Sequence, residues 1–246
     1  MAIFVDPLPI NGIAWTLGSV VIGLFGYKSW RSYQVTKNPL GPIYAYIGLV
    51  FGISFGFFGV PPLFTKDIHT LTHTYFAADI CAQIGMLGQA RLLWFVGLRH
   101  RLPWKAVAIP TLALSTTIIW FEVHTSSVAI DASQNLVLYK DHLLVNVLKS
   151  LIYFVIAYPI AYFFIRQGLR RSTLKARTNS IAAGAVFFLI ASASIENALF
   201  SGGADTRQTA QQNIIVFAIF LFILSVWSWR QGHSSTESQK SPLPRP

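Results

Sequence analysis

The chain has 246 residues, 53% hydrophobic and only 11% charged, with a formal net charge of +10 and one cysteine, Cys81. A lone cysteine excludes an intramolecular disulfide and any CxxC redox or metal motif. The apolar residues fall in runs of about 20, the length that crosses a hydrocarbon core of roughly 30 Å, so composition points to an all-α integral membrane protein.

In chain order, seven runs read as spans, at approximately 11–27, 41–60, 75–97, 104–123, 142–165, 179–200 and 212–229. They predict a seven-transmembrane helix bundle over residues 1–230, followed by a disordered tail over 231–246. That tail is rich in Ser, Pro and charge and has too little apolar surface to fold. The first run has no basic segment before it and no small-residue cleavage site behind it, since Tyr27, Lys28 and Trp30 follow. It reads as a retained helix and not as a signal peptide.

The second run carries Gly48, Gly52 and Gly56 at four-residue spacing, a small-residue groove that lets another helix approach closely. The partner helix is expected within the bundle, with a homodimer or another membrane protein as the alternative. Pro61 and Pro62 are expected to end this helix, while Pro110 and Pro159 should kink the fourth and fifth. Most of the tryptophans sit near helix ends, as in an interfacial aromatic belt.

The basic residues alternate by connection. Fourteen of the 19, among them Lys28, Arg31, Lys37, Arg99, Arg101, Lys105, Arg166, Arg170 and Arg171, fall on one side, against Lys66, Lys140 and Arg207 on the other. The positive-inside rule then places the amino terminus outside and the carboxy terminus in the cytoplasm. Charge spread this way is a topology signal and excludes nucleic acid as a partner; the lipid bilayer is the expected one.

Acidic residues and histidines collect at the opposite, outer side. On the fifth run His142, Asn146, Lys149 and Tyr153 are spaced by four, three and four and so share one helix face. Asp79 with Gln83 on the third run, and Ser192 with Glu196 on the sixth, form similar pairs at comparable depth. A charge in the hydrocarbon region costs roughly 2.5 to 3.5 kcal/mol and needs a partner, so Lys149 is expected to pair with Asp79 or Glu196.

These residues predict an outward-facing polar cavity between the third, fifth and sixth helices, binding or responding to a small ligand, ion or proton. A receptor, sensor or transporter would use such a cavity. The alternatives are an intramembrane enzyme on a lipidic or isoprenoid-like substrate, with Asp79, Glu122 or Glu196 as general acid or base, and a non-catalytic subunit of a larger complex. His69, His73 and His124 are weak metal ligands by pattern: the HTLTH pair is expected where loop passes into helix, and no HExxH motif accompanies it. Neither GxSxG nor a phosphate-binding glycine loop is present, and a retinal Schiff base would need a buried lysine, which rhodopsin-like proteins carry on the seventh helix and the seventh run here lacks. No cofactor is specified.

Overall fold

The computed structural model describes residues 8–132, 135–172 and 174–200; the seventh predicted run and the tail lie outside them. Among the described residues there are six α-helices: α1 (Ile10–Thr36), α2 (Gly41–Phe64), α3 (Ile68–Leu93, continued by a π-helical turn Trp94–Leu98), α4 (Trp104–Thr125), α5 (Leu143–Leu169) and α6 (Leu174–Phe200). The first five are long and apolar enough to cross a membrane, which makes this a multi-pass membrane protein. A chain in lipid must satisfy its backbone internally, and long helices do this without outside help.

Short connections make consecutive helices antiparallel neighbours. Close approaches record the register: Gly26 lies against Gly48, Gly12 against Gly59, and Gly184 of α6 against Ala161 and Ile165 of α5. The glycine groove of α2 is filled from within the chain. A Cβ on Gly48 would come within 2.6 Å of the Gly26 Cα, and one on Gly52 within 3.1 Å of the Gly23 Cα. Helix α1 therefore occupies this face, as the partner helix expected within the bundle.

Helix ends differ from the hydropathy runs where the terminal turns are polar. Helix α1 continues nine residues past the predicted end, to Thr36. Helix α2 passes through Pro61 and Pro62 to Phe64, so these prolines do not end it but sit in its last turns. Helix α3 begins at Ile68, because the Asp67 carboxylate accepts bonds from the Thr70 N–H at 2.9 Å and the Thr70 hydroxyl at 2.6 Å. His69 and His73 are consequently helical, not part of a loop.

The larger departure from an all-helical chain is an antiparallel hairpin between α4 and α5, β1 (Ser127–Asp131) with β2 (Leu136–Lys140), in which Val128 pairs with Tyr139 and Ile130 with Val137. Its inner face packs Val128 and Val137 on Leu71 and Tyr75 of α3, a small apolar cluster separate from the main core. Asn11 of α1 bonds both the carbonyl (2.5 Å) and the N–H (3.3 Å) of Val137, completing the free edge of β2. The Tyr139 hydroxyl donates to the Phe58 carbonyl at 2.9 Å. The hairpin is thus fastened to α1, α2 and α3 and covers one end of the bundle. The opposite end carries the basic connections.

Candidate functional site

Beneath the hairpin, Lys149 of α5 donates to three carboxylates: Asp79 of α3 at 2.6 Å, Glu122 of α4 at 2.8 Å and Asp141 at 2.8 Å. An ammonium has three protons, and each finds an oxygen of its own. The helices explain the meeting. Asp79 lies on the buried face of α3 and Glu122 on that of α4 with Ser115 and Ile118, while Lys149, two turns into α5, reaches back toward its amino terminus. Asp141 enters from the last residue before the His142 N-cap of α5.

Around Asp141 the network closes on the hairpin. One oxygen accepts from the Ser126 hydroxyl at 2.7 Å and, through a short bond, from the Tyr75 hydroxyl; the other faces Lys149. Ser126 and Asp141 flank the two strands, so one carboxylate joins both feet of the hairpin. Tyr75 also stands 3.4 Å from the Lys149 Nζ and stacks on Tyr139, with ring centroids 5.0 Å apart. Burial alone would push the Asp141 carboxyl up. The Lys149 charge and the bonds from Lys149, Tyr75 and Ser126 outweigh it and hold the group below the usual carboxylate range.

The site is enclosed on its helical side and slightly open under the hairpin. The Glu122 side chain is 2% exposed, against 12% for Asp141 and 17% for Lys149. Deeper along the same faces come buried polar atoms with no protein partner among the described residues: Gln83 Oε1 and Gln89 Oε1 of α3 and Ser115 Oγ of α4. Each such atom costs about 1–3 kcal/mol. A bundle selected for stability alone would have filled these positions with apolar side chains.

Of the residues singled out in the sequence, the structure brings Asp79, Glu122 and Lys149 together and leaves the others apart. His142 is exposed and caps α5, accepting from the Leu144 N–H at 3.3 Å. Tyr153 is half-buried against the main core, and Ser192 bonds the Tyr158 hydroxyl at 3.1 Å. Asn146, one turn before Lys149, is half-buried. The side chain of Glu196 lies outside the described residues. Among the described residues, α4 and the hairpin join α3 and α5 in the site, while the contribution expected of α6 through Glu196 lies outside them. His124 is exposed and bonds the Trp120 carbonyl at 2.6 Å, apart from the His69 and His73 pair.

Asp141, Tyr75 and Ser126 were missed. Asp141 sits eight residues before Lys149 in an apparent loop, and only the reach of a lysine back along its own helix would have suggested it. Arg91, at the far end of α3, lies over the rings of Trp94 and Trp104, 4.5 and 4.9 Å from their centroids, as a cation anchored in an aromatic belt.

Fold and site together define a class: a multi-pass helical membrane protein with a lysine-centred tricarboxylate cluster closed by a β-hairpin. No family model matches the sequence, and a search of curated proteins finds no match.

Proposed function

We propose that this chain is a receptor, sensor or transporter-type membrane protein whose cluster, at the outer face, takes up a proton or a small cation and so controls the hairpin. The observation that carries this reading is the convergence of three carboxylates on one ammonium in a largely buried site: with all three ionised, two negative charges would stand uncompensated. Isolated charges in low dielectric are expensive, and such groups in membrane proteins mark ion and proton sites. Because Asp141 is held ionised, the incoming proton or cation falls to Asp79 and Glu122. The three carboxylates offer oxygens within 4.8 Å of one another, a span that one cation can bridge when the ammonium swings away.

Orientation follows from the basic residues. Lys28, Arg31, Lys37, Arg99, Arg101, Lys105, Arg166, Arg170 and Arg171 all lie at or near the helix ends remote from the hairpin, which supports a cytoplasmic location for that end and an outer location for the site. The described residues carry no observation that favours the enzyme: Asp79 and Glu122 are both turned onto Lys149 and not onto a substrate-sized cavity. A subunit role would have drawn on the glycine groove of α2, which α1 fills.

Hydrogen exchange across the hairpin tests the proposal. Acidification from pH 7 to 5, or addition of Na⁺ or Ca²⁺, should lower the protection factors of residues 127–140, taken relative to the intrinsic exchange rate at each pH, and Glu122→Gln, which removes one carboxylate charge, should blunt the response. Protection factors that are indifferent to pH and cations in the parent would overturn it.

A further inference from the structure

The first turns of α3 carry a second arrangement that the cluster does not use. His69 and His73 are exposed, one helical turn apart, and their Nε2 atoms face each other at 3.2 Å. Their rings stand at 78° with centroids 4.3 Å apart. The pair follows from the local structure: the Asp67 cap starts the helix at Ile68, and a helical turn brings side chains four apart into contact on one face. Two neutral imidazoles can share a single N–H between these nitrogens. The same spacing suits another occupant. An ion bound at 2.0–2.1 Å by each of two nitrogens 3.2 Å apart would subtend an angle of about 100°, close to the tetrahedral and cis square-planar values.

We propose that His69 and His73 form a two-imidazole chelate for a divalent transition-metal ion of the imidazole-preferring class, copper, zinc or nickel, with water completing the shell. The site is separate from the Lys149 cluster and does not depend on the function proposed for it. Hard cations such as Mg²⁺ and Ca²⁺, which select oxygen ligands, are not its ligands. Following the affinity order for divalent ions, Cu²⁺ binds most tightly. The chelate spans the first helical turn of α3, so a bound ion staples that turn and slows fraying of the segment leading to Tyr75.

The test is titration of the full-length protein, purified without a polyhistidine tag, with Cu²⁺ alone and then Zn²⁺ alone, read by copper electron paramagnetic resonance and by thermal shift. One saturable equivalent is expected, with two nitrogen ligands in the copper spectrum. His69→Ala and His73→Ala should each weaken binding by more than about tenfold, a loss at least as large as that from removing outer-sphere support. His124→Ala, which alters an exposed histidine elsewhere, should change nothing. Both test residues are exposed, so the variants fold. Loss of the equivalent in His124→Ala but not in His73→Ala, or absence of saturable binding in the parent, would overturn the proposal. A pH- and cation-insensitive hairpin with an intact chelate would remove the cluster's function and leave the metal site standing.

Discussion

The two ends of the bundle are built on different physics. At the hairpin end, four charged side chains, a tyrosine and a serine converge within a few ångströms, and the backbone is tied down by strand pairing and by Asn11 and Tyr139. At the basic end there is no comparable network among the described residues. There Leu93, Leu98, Val107, Pro110, Pro159 and Phe163 help line an apolar groove of about 470 Å³ between α3, α4 and α5, with a proline on each of two walls. Lipid tails or a neighbouring helix can fill such a groove at little cost, whereas the charged end tolerates no substitute for its partners. Specific polar pairing is therefore concentrated at the hairpin end, and the other end carries the basic connections.

The sharpest way to break this contrast is Lys149→Met. It strands three carboxylates whose oxygens lie within 4.8 Å, and loss of one partner from a buried ion network costs about 3–5 kcal/mol. A fall in Tm of roughly 10 °C at pH 7 is expected in detergent. Next comes Gly48→Val, whose Cβ would meet the Gly26 backbone at 2.6 Å. It should cost about 1–3 kcal/mol by overpacking, with no change in pH dependence, since no charge is nearby. Asn11→Ala unpairs both backbone groups of Val137 and should cost about 2 kcal/mol, seen as faster hydrogen exchange confined to residues 127–140. Smallest is Pro110→Ala at the basic end, expected within about 1 kcal/mol of the parent and with the same pH profile. If it shifted that profile, the two ends would be coupled and the division between them wrong.

How much of this the sequence carried depended on the type of signal. The described spans were legible because about 20 apolar residues admit few other readings, and Lys149 was marked as needing a carboxylate because a charge in that setting must have one. Helix ends were less legible, since residues such as His69, Thr70, Thr72 and His73 are polar and their helical state is set by the Asp67 cap, not by hydropathy. The hairpin was missed because SVAID and LVLYK are too short to stand out between long apolar runs. Among the described residues of its turn, Asn135 is held at a φ of 52°, a conformation asparagine tolerates well. Which carboxylates reach Lys149 is a property of helix packing and of that hairpin, so Glu122 and Asp141 could not be assigned to it from spacing along the chain.

The most direct test of the central claim, that one lysine holds three carboxylates at a charge-surplus site, is the Tm of the parent and of Lys149→Met followed from pH 7 to pH 3. In the parent the Asp141 carboxyl sits below its unfolded value, so its contribution is fully present above the unfolded value of about 3.9 and is lost as pH falls through the depressed one. The parent curve should stay level to about pH 4 on that account and then drop. Without Lys149, burial and like charge act unopposed, and protonation relieves the repulsion, so the variant should gain stability as pH falls from 7 to 5. Two curves that decline in parallel would show that Lys149 does not neutralise the cluster, and would contradict the account.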